Sequence, residues 1–239
     1  MTILEKLHFY HSVYRYRFHT EKTQLKNLLN LKLKSTTVID VGANRGIYTY
    51  WLAKIVSSNG RVVAFEPQIE MCNQIKKNCE WQKFEHVTLI NQGISNTKAT
   101  LSLFREKIGD GSATFEYKSK KNQQVEKLKV QVVTLDTFVE FHNLNNISFI
   151  KIDVEGHEKK VIEGAQNTLM RFKPYVQVEI SDIQSDSTQS LIKNFDELGY
   201  AGKILLDGGE TPDVRFLKLN PSPKFGLKGH RDLFFSYKH

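Results

Sequence analysis

Thr37-Val38-Ile39-Asp40-Val41-Gly42-Ala43-Asn44-Arg45-Gly46 decides the fold. Its first half is apolar and β-branched, which suits a strand buried on both faces of a parallel sheet. Its second half is a glycine-bearing turn. Ile47, Tyr50, Trp51 and Ala53 then follow at helical spacing as far as Ser57. Strand, turn and helix in that order predict the opening unit of a doubly wound α/β domain. Asn59-Gly60 punctuates the unit, after which Arg61–Phe65 reads as a second strand, Ile69–Trp81 as a second helix and Val87–Asn91 as a third strand.

Further out the alternation is interrupted. Ala99–Phe104 and Val130–Val133 read as strands around a Lys- and Gln-rich stretch, Lys118–Lys129, expected to be an exposed inserted loop or hairpin. Leu135–His142 reads as a helix and Ser148–Asp153 as the next core strand. Val161, Ile162, Ala165 and Leu169 share a helix face. Tyr175–Ile180 is a strand and Ser187–Leu198 a helix, and Phe216-Leu217 is expected to close the sheet in an antiparallel pair with Leu233–Phe235. Upstream, Ile3, Leu7, Tyr10, Tyr14 and Phe18, then Leu25, Leu28 and Leu29, predict a helix over 3–33. The expected organisation is a helical appendage, residues 1–35, on a single domain, residues 36–239.

The 239 residues are 40 % hydrophobic, enough for a sizeable core. No run of 18 apolar residues exists, so no bilayer-spanning helix is expected. Met1–His11 carries charge where a signal peptide needs an apolar stretch, and a cytoplasmic location is expected. Cys72 and Cys79 would lie about 10 Å apart on one helix, too far to bridge, and no second Cys/His pair follows for zinc. Net charge is +8. Residues 1–36 hold seven Lys/Arg against two Glu, and residues 214–239 hold six against one Asp. The two ends therefore carry the whole surplus and the middle is slightly acidic. The basic, aromatic stretch His8–His19 fits either a helix docking on a membrane face or partner, or a helix lying over the domain edge with basic stems in water.

In this class of sheet, ligands bind beyond the carboxyl ends of the strands at the switch point. Gly42 and Gly46 let backbone approach a ligand closely. Glu66, twenty residues beyond Gly46, ends the second strand where a carboxylate can accept both ribose hydroxyls. A dinucleotide site prefers Gly-x-Gly-x-x-Gly, and Asn44 replaces the middle glycine here. Asp40 would repel a pyrophosphate but suits an ammonium or sulfonium group. These residues point to S-adenosylmethionine.

A second constellation, Phe149-Ile-Lys-Ile-Asp-Val-Glu-Gly-His-Glu158, crowds Lys151, Asp153, Glu155, His157 and Glu158 at the end of the fourth core strand. Glu155 and Glu158 suit the first turn of the next helix, where the dipole favours anions. Lys151 and Asp153 inside a buried strand must be paired. If the reaction removes a proton, Asp153, Glu155, His157 and Glu179 are the candidate bases, with Asp153 and His157 preferred and not separated. Asp153 and Glu179 could converge on Mg²⁺, a variant this reading does not favour.

Taken in order, Asp40-Val-Gly-Ala-Asn-Arg-Gly46, Phe65-Glu-Pro67, Ile150-Lys-Ile-Asp-Val-Glu-Gly-His-Glu158, Gly164-Ala165 and Glu179-Ile180 resemble the FkbM family of adenosylmethionine-dependent methyltransferases. The resemblance covers roughly residues 36–181. It implies a Rossmann-like class I methyltransferase fold with a doubly wound, seven-stranded, mostly parallel sheet. It also implies O-methylation of a sugar, polysaccharide or natural-product hydroxyl. Carried over, Asp40, Gly42, Ala43, Asn44 and Gly46 would hold the methionine part, Glu66 and Pro67 the ribose, and Gly93, Ile94 and Ser95 the adenine. Asp153 would lie near the transferring methyl group. An RNA methyltransferase and a non-catalytic adenosylmethionine-binding module are the alternatives. Nucleic acid is not favoured, because no RNA-binding segment accompanies the basic ends. Those ends suit a peripheral contact with a membrane or glycolipid instead.

Overall fold

The computed structural model describes residues 2–117, 124–183, 185–206, 213–214 and 228–238. Its strands are β1 (Thr37–Val41), β2 (Arg61–Phe65), β3 (Val87–Ile90), β4 (Gly93–Ile94), β5 (Ala99–Arg105), β6 (Glu126–Val133), β7 (Ile147–Ile152), β8 (Tyr175–Asp182), β9 (Tyr200–Leu205) and β10 (Lys228–Tyr237). Its helices are α1 (Ile3–Arg15), α2 (Lys22–Leu29), α3 (Ile47–Val56), α4 (Ile69–Gln82), α5 (Leu135–Phe141), α6 (Glu158–Glu163), α7 (Gln166–Phe172) and α8 (Asp186–Glu197).

Seven strands form one sheet in the order β3-β2-β1-β7-β8-β10-β9. All neighbours are parallel except β10, which runs antiparallel to both β8 and β9. Strand β1 is buried along its whole length, as its β-branched run requires. Alternate residues serve opposite faces. Ile39, Val41, Val63, Phe65, Ile150 and Ile152 pack with α5 to α8. Val38, Val62 and Phe149 pack with Leu25 and Leu28 of α2 and with Tyr48, Leu52 and Val56 of α3. The predicted hairpin is β5 paired antiparallel with β6, and β4 adds to it in a separate three-stranded sheet.

Four sequence expectations are corrected. The predicted helix over 3–33 is broken: α1 runs into a π-helical turn, Tyr16–Thr20, and the chain leaves helical geometry at Glu21 (φ −129°, ψ 45°) before α2. Glu21 turns inward there, and its carboxylate accepts a hydrogen bond from the Tyr48 hydroxyl. The face shared by Val161 and Leu169 belongs to two helices, because the chain breaks at Gly164. A Cβ on Gly164 would stand 2.1 Å from the Ser95 carbonyl oxygen. Strand β6 starts at Glu126, inside the expected loop, with its charged residues on the solvent side. The closing antiparallel pair is β9 with β10, whereas Phe216-Leu217 and residues 118–123 lie outside the described residues.

Candidate active site

The ends of β1, β2 and β7 are knitted into one floor. Gly42 and Ala43 donate their N–H groups to the Phe65 carbonyl at 3.0 and 2.9 Å, and Asp153 donates its own to Val41 at 3.0 Å. Gly42 has φ +84°, and a Cβ there would lie 1.8 Å from the Asp153 carbonyl oxygen, so only glycine fits. Asn44 (φ +51°) and Glu155 (φ +52°) are also left-handed, and both line the cleft above this floor. Non-glycine residues held there mark a site that the surrounding structure over-determines.

Glu66, only 3 % exposed as a residue, closes the cleft floor. Its oxygens accept N–H groups from Asn44 at 2.8 Å and Gln68 at 2.9 Å. Burial pushes this carboxyl up to about 7, against the pull of the two N–H groups. Pro67, Gly93 and Ile94 form the neighbouring wall. The hairpin loop supplies Gly111, Ala113 and Phe115 opposite. Arg105 and Asp110 hold that loop in place. Arg105 is buried and bonds Glu70, Glu126 and Gln68. Asp110 accepts the N–H groups of Glu106 and Ser112, while its carbonyl accepts from Gln68 at 2.8 Å.

Of the residues expected from sequence, Gly42, Asn44, Glu66, Pro67, Gly93, Ile94, Asp153 and Glu155 come together around this cleft. Asp40, Ala43, Gly46, Ser95, His157 and Glu179 lie outside its lining. Asp40 is fully buried behind the turn, where Oδ2 accepts the Thr49 hydroxyl at 2.6 Å and burial raises its carboxyl. Gly46 (φ +78°) begins α3. His157 is not the solvent-facing residue that a helix start suggests. It is buried, with Nδ1 2.7 Å from Glu116 and Nε2 2.9 Å from the Ser95 hydroxyl. Burial lowers its pKa, opposed by Glu116. His157 thus clasps β4 to the hairpin loop.

A polar network lies beneath Asp153. On the face covered by α2 and α3, the strands change from Val38, Phe149 and Tyr175 at one level to Asp40, Lys151 and Gln177 at the next, each set aligned across β1, β7 and β8. Lys151 Nζ donates to Asp153 Oδ2 at 2.7 Å and sits 4.3 Å from the Tyr48 ring centre. Burial opposes the Lys151 charge, but Asp153, Glu21, Glu179 and Asp40 outweigh it and push its pKa up. Gln177 donates to the Tyr48 hydroxyl at 2.9 Å and to Asp232 at 2.8 Å, and Gln24 donates to Asp232 at 3.0 Å. Glu179 stands opposite Asp232 in the β8–β10 ladder. Burial, then Asp153, pushes Glu179 up to about 9, and burial pushes Glu21 up to about 7. Sequence reasoning missed Glu21, Tyr48, Gln177 and Asp232. The available signals were a glutamine inside an apolar strand and an aspartate beside Leu233-Phe234.

The chemistry of these donors suits a cationic nucleoside. Asn44 Oδ1 is buried without a partner in the cleft, an acceptor suited to an ammonium group. Asp153 is already neutralised by the Lys151 ammonium, and no cluster of three metal-ligating side chains forms among the described residues.

The sheet order, with one antiparallel strand next to the edge, and a cleft at the β1/β7 switch point define a Rossmann-like methyltransferase. A crystal structure of Methyltransferase FkbM from Methylobacillus flagellatus shares this fold at 14 % identity and a TM-score of 0.55, over 86 % of this chain but only 45 % of that one. An O-methyltransferase from Bacillus cereus, solved in complex with SAH, aligns at 16 % identity and 0.51, over 92 % and 81 % of the two chains. The sequence pattern of the methyltransferase FkbM domain matches residues 40–201, and the chain belongs to that family. Two relatives are Methyltransferase 1 of Beauveria bassiana, 24 % identical over 76 % of this chain and 79 % of its own length, and hexuronic acid methyltransferase AglP of Haloferax volcanii, 26 % identical over 67 % and 62 %.

Proposed function

We propose that this methyltransferase uses S-adenosylmethionine to methylate a hydroxyl oxygen of a sugar, polysaccharide or natural-product scaffold. One observation carries the reading: a buried carboxylate, Glu66, and an ion-paired carboxylate, Asp153, face the same cleft across a glycine turn. Bound there, adenosylmethionine supplies an electrophilic methyl group on a sulfonium. Glu66 and Pro67 border the ribose, Gly93 and Ile94 the adenine, and Gly42 and Asn44 the methionine part. Ala43 and Gly46 shape that turn from behind, and Ser95 supports the adenine wall. Asp40 acts on the cation through its field from beneath.

Asp153 is the proposed base. It lines the cleft, as does Glu155, whereas His157 lies outside the lining with both ring nitrogens engaged. Asp153 takes the acceptor hydroxyl's proton as that oxygen attacks. Lys151 orients Asp153 and balances the cluster, and Glu21 and Glu179 set the charge around Lys151. Those three act as positioning residues. The sugar class draws support from the hexuronic acid relative.

The test combines calorimetry with methyl transfer from labelled adenosylmethionine to a uronic-acid-containing glycan extract and to total RNA. Wild type is expected to bind the donor and label the glycan. Asp153→Asn is expected to bind the donor but lose about 10²- to 10⁴-fold in turnover. Label confined to RNA, or full transfer by the variant, would overturn the acceptor class or the assigned base respectively.

A further inference from the structure

Helix α1 is apolar on two opposite sides. One side is spent on the core: Phe9 and Val13 are buried against Ile47 and Tyr50. The other faces solvent. Ile3, Leu4, Leu7, Tyr14 and Phe18 are 77, 78, 61, 50 and 55 % exposed, five of the ten large hydrophobic side chains exposed among the described residues. At 100° per residue Ile3, Leu7 and Tyr14 share a direction roughly opposite Phe9. The Tyr14 and Phe18 rings stack at 6.2 Å with 6° between their planes, which carries the stripe into the π-helical turn. Covering a core needs one apolar side, so the second has no role in the fold.

The flanks of the stripe are cationic. Arg15 and Arg17 lie 5.8 and 5.6 Å from the Tyr16 and Phe18 rings. Glu5 is held by the helix cap, and Glu21 turns inward to Tyr48. A groove on another side of α1, lined by Leu4, Glu5, His8, Arg45 and Glu70, is bordered by the 69 % exposed Ile108. Ile108 belongs to the same hairpin loop whose Gly111 and Ala113 line the cleft.

We propose that this side of α1 seats the protein on an anionic lipid bilayer. Exposed aliphatic and aromatic side chains enter the headgroup boundary, and the flanking arginines meet lipid phosphates. A second copy of this chain is the poorer occupant, because a two-fold contact would set like cationic flanks together.

The test is co-sedimentation of the full chain with vesicles of phosphatidylcholine alone and of phosphatidylcholine mixed with phosphatidylglycerol. The expected result is binding to the mixed vesicles only, weakened by salt. Leu4→Glu/Leu7→Glu and Arg15→Glu/Arg17→Glu should each bind about tenfold or more weakly, with circular dichroism and melting temperature unchanged. Equal binding to neutral vesicles, no binding to either, or wild-type binding by folded variants would overturn the proposal. So would a dimer, seen by light scattering, that Leu7→Glu dissociates, since the stripe would then belong to a second copy.

Discussion

Replacing Glu66 by Gln tests the cleft at its most constrained group. The change keeps shape and removes charge. In the folded protein without ligand, this carboxyl holds its proton up to about 7 rather than 4.5. At 1.36 kcal/mol per pH unit, that gap corresponds to about 3 kcal/mol. The folded value is raised, so stability from the protonated form is complete below 4.5 and is lost as pH climbs through 7. Ligand hydroxyls donate to the ionised form, so binding runs the other way. Wild type should bind adenosylmethionine about tenfold more tightly at pH 8 than at pH 6, because the ionised fraction rises by about that factor. Glu66→Gln removes a charged hydrogen-bond acceptor worth about 1.5–3 kcal/mol, a loss of about 10- to 150-fold at pH 8. The assay is titration calorimetry of both proteins at pH 6, 7 and 8, and subtracting the variant's slope removes the ligand's own titration. Equal slopes, or wild-type affinity in Glu66→Gln, would refute the assignment of Glu66 to the ribose.

Three further outcomes are expected. Lys151→Met leaves the buried Asp40 and the cleft carboxylate Asp153 without their cation, and urea unfolding should show a loss of about 3–5 kcal/mol. Gly42→Ala drives a Cβ to 1.8 Å from the Asp153 carbonyl in a left-handed backbone, and should cost at least about 2 kcal/mol by the same measurement. Glu21→Gln should change the pH profile of kcat while leaving KM for adenosylmethionine nearly unchanged, because Glu21 meets the site through Tyr48 and Lys151; an unaltered profile would make Glu21 purely structural.

The parallel core was legible because β1, β2 and β7 are short apolar runs rich in β-branched residues and bounded by turn formers such as Gly42, Gly60, Pro67 and Asn146, and such runs have few other homes. The cleft was legible where a residue type is forced locally, as at Gly42, or ends a strand, as Glu66 and Asp153 do. Long-range partners were not legible. Nothing near Glu21 announces Tyr48, and helical periodicity runs straight through the point where the chain breaks. Strand β9 opens Tyr200-Ala-Gly, which lacks the β-branched signature and forms only because β10 pairs with it. His157 reads as a candidate base beside Asp153, and nothing near it in the sequence announces that it is buried. Its burial depends on Glu116 and Ser95, 41 and 62 residues away.

The bond from Gln24 to Asp232 joins residues 208 apart in the chain. As synthesis proceeds, α2 emerges long before β10, and its buried glutamine has no partner until that strand leaves the ribosome. The polar network under Asp153 can therefore close only after translation has passed Asp232. A nascent chain arrested before that point would hold most of its sheet while Gln24 and Gln177 still lacked their shared carboxylate. Competence for chemistry would then arrive as a late step, separable in time from collapse of the core.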